Sequence, residues 1–95
     1  MQMIEMIFDE GKFRYTQIER HGDLAIYCQE LKSSNVKRYE VVRLRVQKAY
    51  VFPSGVSKPE REVYPTSRVW GKDGWTHFTL DDAQRHMRTL QAETH

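Results

Sequence analysis

The chain has 95 residues and a mass of 11.4 kDa, which suits a single domain. Hydrophobic residues make up 39% of it and charged residues 29%, and 15 Lys and Arg against 13 Asp and Glu leave a formal net charge of only +2. This composition is typical of a soluble globular domain, and it excludes a collagen, a low-complexity tail and a disulfide-rich scaffold.

Three short strands are predicted in the first third of the chain, at about residues 3–8, 12–19 and 24–31, because apolar and polar residues alternate there. The short segment around Gly22 predicts that the second and third strands form a hairpin. In the third strand, Cys28 has the same parity as Leu24 and Ile26. We therefore expect its thiol to face the core and to be unreactive.

The longest alternating run spans about residues 36–52 and predicts a fourth, half-buried strand. The side expected to face the core carries Val42, Leu44 and Val46. The opposite side, expected to face solvent, carries Lys37, Tyr39, Arg43 and Arg45.

All three prolines lie in residues 53–69, which predicts a loop with a short edge strand around residues 62–64. Two tryptophans then flank a glycine-bounded turn over residues 70–75. Thr79 is a suitable N-cap for a helix over about residues 80–92, whose apolar face consists of Leu80, Ala83, Met87 and Leu90.

These elements predict an α+β domain, in which one C-terminal amphipathic helix packs on one face of an antiparallel meander of three or four strands. The exposed edge of such a small sheet permits pairing between copies, so both a monomer and a homodimer remain open. No apolar run approaches the ~18 residues of a transmembrane helix. The single cysteine and the absence of a signal-peptide pattern favour the cytoplasm.

Residue patterns for catalysis or metal binding are sparse. Asp81 and Asp82 suit the positive end of the helix dipole better than an acid–base pair. The spacing of a zinc half-site is missing from the histidines, which we interpret as surface residues: His21, His77, His86 and His95. We expect no metal or other cofactor, and an enzyme is the least favoured class of function.

A nucleic-acid interface is one candidate site. Between Lys37 and Lys48 there are five basic residues and one acid, Glu40. An aromatic ring beside guanidinium groups is what a single-strand platform requires, and the residues for it are Lys37, Tyr39, Arg43 and Arg45. The alternative is a solvated strand face whose arginines pair with acids on the neighbouring strand.

The tryptophan turn also has two interpretations. Trp70 and Trp75 can clamp the helix onto the sheet, or one of them can anchor a partner, since Trp and Arg are frequent in interface hot spots. A protein-binding surface would then combine the strand face with this turn, and its residues are Tyr39, Arg43, Arg45, Arg68, Trp70, Lys72 and Trp75.

Three segments carry a family resemblance: Tyr39-Glu40-Val41-Val42, Glu62-Val63-Tyr64-Pro65 and Trp70-Gly71-Lys72-Asp73-Gly74-Trp75-Thr76. With the short helix that follows, they resemble small phage- and prophage-encoded proteins of unassigned function, over about residues 13–90. The Trp-Gly-x-x-Gly-Trp-Thr segment is the most specific element. The resemblance implies a bacterial cytoplasm and an accessory gene, and it supplies no catalytic residues.

Two functions follow as hypotheses. The first is a non-enzymatic, phage-type accessory protein that binds a host or defence protein and modulates or inhibits it. The alternative is a small nucleic-acid-binding module that uses the basic and aromatic strand face. Phosphate-driven binding weakens steeply with salt, which separates the two.

Overall fold

The computed structural model describes residues 1–93. Within that range the strands are β1 Ile7–Glu10, β2 Phe13–His21, β3 Leu24–Leu31, β4 Lys37–Arg43, β5 Arg45–Gln47, β6 Tyr50–Val51, β7 Ser57–Lys58, β8 Arg61–Val63 and β9 Gly74–His77. The helices are one turn of 3-10 helix at Ser67–Val69 and the α-helix α1 at Leu80–Glu93.

The main sheet contains five antiparallel strands in the order β1-β2-β3-β4-β9, and α1 packs on it. The predicted α+β class with a C-terminal helix is therefore confirmed. The fifth strand, β9, was missed, because the predicted tryptophan turn over residues 70–75 runs into it. Thr79 caps α1 as expected, since its Oγ1 accepts a hydrogen bond of 3.2 Å from the Asp82 backbone N–H. The predicted surface residue His95 lies outside the described residues.

The prediction of one strand over residues 36–52 is wrong, because that segment contains β4, β5 and β6. The chain leaves the main sheet after Arg43. There the Arg43 N–H donates to the Asp73 carbonyl and the Leu44 N–H to the Asp23 carbonyl, each at 2.7 Å. Beyond this point β5 pairs with β8 and β6 with β7. The predicted loop over 53–69 accordingly contains two strands, one of them close to the expected edge strand at 62–64.

Both faces of the sheet are buried, although the sequence predicted one core. On the helix face, Leu24, Ile26 and Val41 pack against Ala83, Met87 and Leu90 of α1. On the opposite face, which we call the aromatic face, the buried residues are Tyr15, Ala25, Tyr27, Val42 and Leu44. Segments from outside the sheet cover this second cluster, and the residues that they contribute include Ile4, Tyr64 and Trp70.

Residues 45–61, which we call the arm, form a long irregular hairpin. Every residue in this range is exposed. The Cα radius of gyration is 14.7 Å, against about 12 Å for a compact chain of this length. A radius of gyration larger than that of a compact chain agrees with a hairpin that projects from the sheet.

Candidate functional site

The aromatic residues predicted to form one contact surface lie on opposite faces of the sheet. Tyr39 and Trp75 are half-buried and pack on the helix-face core, and the Trp75 ring lies 4.8 Å from the ring of His86. Trp70 packs on the aromatic face. Tyr39 was expected to face solvent. It does not, because its neighbour Val41, on the same side of β4, lies under α1.

The basic residues of the predicted surface are also dispersed. Lys37 forms an ion pair of 3.7 Å with Glu30 of the neighbouring strand β3, whereas within residues 1–93 neither Arg43 nor Arg45 forms the ion pair that the solvated-face alternative expected. Arg43 is half-buried at the end of β4, and Arg68 and Lys72 are exposed in the 3-10 helix and the tryptophan turn. Only Arg45 belongs to a larger exposed basic surface, because it begins the arm.

The packing of Trp70 explains why glycines occupy positions 71 and 74. Its ring lies directly on Gly74, where an added Cβ would come within 2.4 Å of the ring. Its Nε1–H donates to Thr76 Oγ1 at 3.1 Å. Gly71 has a φ of +90°, which favours glycine in the turn between the two tryptophans. The motif therefore folds Trp70 back onto the edge strand β9.

The arm is the longest uninterrupted run of exposed residues within residues 1–93. Its tip is a tight turn in which the Gly55 N–H donates to the Phe52 carbonyl at 2.9 Å and the Phe52 N–H to the Val56 carbonyl at 2.8 Å. Gly55 has a φ of +89°, so a side chain there would be strained. The Tyr50 and Phe52 rings meet edge to face, with centroids 4.8 Å apart. These local contacts give the tip a defined shape.

Apolar side chains cluster on this arm. Tyr50, Val51 and Val56 have exposed fractions of 55%, 66% and 60%, and the exposed group also contains Val46 and Phe52. Tyr50 and Phe52 are in contact and form one exposed aromatic patch, and exposed apolar patches are typical of sites that bind another molecule. The sequence carried a usable signal for this site, because the alternation that ends at Phe52 continues far beyond the length of an ordinary strand.

The arm also concentrates positive charge. It contains four basic residues, Arg45, Lys48, Lys58 and Arg61, and one acid, Glu60, for a net charge of +3. Since the whole chain carries +2, the remainder carries −1. Lys58 lies 5.8 Å from the Phe52 ring centroid, a cation–π contact that joins the charged and apolar parts of the tip.

The base of the arm is fixed to the sheet by an ion pair. Arg20 of β2 donates to both carboxylate oxygens of Glu62 in β8, at 2.8 and 2.5 Å. Glu62 also accepts a hydrogen bond of 3.2 Å from the Ile4 N–H, and the Gln2 N–H donates to the Glu60 carbonyl at 3.0 Å. The Arg20 guanidinium holds the pKa of Glu62 below its usual range. The base of the arm is therefore held to the sheet by an ion pair and to the N-terminal segment by hydrogen bonds.

Two histidines and the single cysteine also lie on the helix face. His77 and His86, which were predicted to lie on the surface, are only partly exposed and are in contact, with Nε2 and Nδ1 2.8 Å apart. Burial, followed by the neighbouring His77, lowers the pKa of His86. Cys28 is half-buried, and burial raises the pKa of its thiol. Within residues 1–93, no group of three or more His, Cys, Asp or Glu side chains is arranged to hold a metal ion.

The comparisons with known proteins gave no match, whether to a family model, to a curated protein or to a solved structure. Over residues 1–93, no helix has the length and apolar character needed to cross a membrane.

Proposed function

We propose that the chain is a non-enzymatic binding protein that docks on a second protein through its arm. The observation that carries the proposal is the arm itself: 17 consecutive exposed residues, an apolar tip and a net charge of +3. Apolar side chains supply the affinity of such a contact, and charge steers the encounter and selects the partner. The partner surface is accordingly an apolar depression with an acidic rim.

We further propose the role that the phage-type resemblance implies, in which the protein modulates or inhibits a host or defence protein in the bacterial cytoplasm. A projecting arm suits this role, because it can enter a cleft of the partner. The half-buried thiol of Cys28, whose pKa is raised by burial, is compatible with a reducing compartment.

Affinity capture from a bacterial lysate, with and without nuclease, tests the proposal. The wild-type chain is compared with Val51→Asp at the arm tip and with Val36→Asp in the turn before β4, where valine is also exposed. A protein retained in stoichiometric amount after nuclease by wild type and Val36→Asp, and lost with Val51→Asp, is the expected result. Equal retention by both variants would refute docking through the arm.

Nucleic-acid binding is the second candidate, and the charge of the arm favours it. The earlier set of Lys37, Tyr39, Arg43 and Arg45 does not form one exposed platform, so the arm is the surface to test. If its four basic residues contact phosphates, affinity should fall about a hundredfold between 50 and 200 mM salt. Recovery that disappears with nuclease would place this candidate first.

A further inference from the structure

A second potential site, separate from the arm, is an open cleft on the aromatic face. Its volume is about 550 Å³, which is within the range of small-molecule sites. The lining residues are Glu10, Tyr15, Glu40, Tyr64, Pro65, Thr66, Ser67 and Trp70. Two of them are acidic and none is basic, although the chain as a whole carries a positive net charge.

Glu40 lines this cleft and is only 6% exposed. Its Oε1 accepts a hydrogen bond of 2.6 Å from the Tyr64 hydroxyl, and its Oε2 has a longer contact of 3.5 Å with Thr76 Oγ1. Both donors are neutral. In the part of the chain that the structure describes, no basic side chain forms an ion pair with Glu40.

A buried carboxylate is normally paired with a cation, so the surroundings of Glu40 are unusual. The basic residue nearest in sequence on the same side of β4, Arg38, stacks its guanidinium on Phe78 at 4.7 Å. Burial raises the pKa of Glu40, the hydrogen bonds from Tyr64 and Thr76 offset only part of this shift, and the charge of Glu10 adds to it. The cleft therefore has an excess of negative charge that a bound cation would neutralise.

The walls of the cleft are aromatic. The Tyr64 ring lies 5.4 Å from that of Tyr15, tilted by 59°, and 6.4 Å from that of Trp70, tilted by 29°. Phe8 stacks against Tyr15 at 4.8 Å and fixes its orientation. Aromatic rings around an acidic group attract organic cations. They favour methylated ammonium over primary ammonium, because water holds the primary group more strongly.

We propose that this cleft binds a methylated ammonium group, with the rings of Tyr15, Tyr64 and Trp70 against its methyl groups and the carboxylates of Glu10 and Glu40 as its counter-charges. The group can come from a free small molecule or from a methylated lysine side chain, since the chemistry of recognition is the same. Glu40 then gains the cationic partner that the chain itself does not provide.

Titration of the full chain with choline, followed by amide and indole chemical shifts, tests the proposal. The neutral isostere 3,3-dimethylbutan-1-ol has the same shape without the charge, and we expect it to bind at least about tenfold more weakly. A trimethyl-lysine peptide and its unmethylated form distinguish the two sources. Saturable binding of choline indicates a free ligand, whereas binding of the trimethylated peptide alone indicates a protein side chain.

Two exposed acids provide a matched pair of variants that leave the core intact. Glu10→Gln removes a charge at the cleft and should weaken binding several-fold, whereas Glu60→Gln on the arm should leave binding unchanged. Trp70→Leu should lower the affinity about tenfold or more. Equal affinity for choline and its isostere, equal effects of the two acid variants, or no saturable binding of either methylated probe would each overturn the proposal.

Discussion

Replacing Gly74 by alanine should displace Trp70 and destabilise the domain. Gly74 is buried in β9, and its φ lies outside the left-handed region, so its backbone alone would tolerate a side chain. The obstacle is the Trp70 ring. An added Cβ would lie 2.4, 2.5 and 2.8 Å from three ring carbons. Ordinary contact begins near 3.4 Å, so the ring must move by roughly 1 Å.

Movement of the ring should lower the free energy of unfolding. A shift of the ring would weaken the Trp70 Nε1–Thr76 Oγ1 hydrogen bond, which is already 3.1 Å long, and would disturb the stacking of the ring on Tyr64. Overpacking of this kind lowers the free energy of unfolding by about 1–3 kcal/mol. For a domain of this size, each kcal/mol lowers Tm by about 4–8 °C.

Urea unfolding followed by circular dichroism measures the effect. We expect Gly74→Ala to lose about 1–3 kcal/mol in the wild-type background and less than about 0.5 kcal/mol in a Trp70→Leu background, where the shorter side chain does not reach position 74. An equal loss in the two backgrounds would refute the argument, because the cost would then not come from the Trp70 ring.

Three further predictions concern charged groups. Glu62→Gln should lower the free energy of unfolding by about 1–3 kcal/mol, because it leaves Arg20 without its charged partner, and it should increase hydrogen exchange in the arm. A double-mutant cycle with Arg20→Gln should return a coupling above about 0.5 kcal/mol. Because the pKa of Glu40 is raised in the folded state, wild type should lose stability relative to Glu40→Gln as pH rises through that pKa, as denaturation at several pH values would show. The pKa of His86 is lowered in the folded state, so the stability that its neutral imidazole contributes is complete above the ordinary pKa of histidine and should be lost as pH falls. His86→Asn should flatten this part of the plot of unfolding free energy against pH.

Local patterns in the sequence predicted most of the main sheet. The hairpin of β2 and β3 followed from alternation on both sides of Gly22, and α1 followed from the spacing of Ala83, Met87 and Leu90 and from the cap at Thr79. These features depend on neighbours within a few residues. Periodicity and capping therefore suffice to place them.

The parts that were missed depend on contacts between distant segments. The length of the alternating run was unusual, but alternation continues unchanged from Arg43 into Arg45, so it did not show where the chain would leave the main sheet and pair β5 with β8. Burial on both faces was also missed, although Tyr39 and Val41 were two apolar residues on the side assigned to solvent. The cleft around Glu40 was not predicted, because its lining residues are separated by as many as 60 positions in the sequence.

Docking through the arm is the central claim, and site-specific photo-crosslinking tests it most directly. A photoreactive residue is placed at position 51 on the arm tip or at position 36 in the turn before β4, both of which are exposed. The chain is then irradiated in a bacterial lysate that has been treated with nuclease. We predict one discrete protein adduct from position 51 and none from position 36. Equal adducts from both positions, or no adduct from position 51, would contradict the claim.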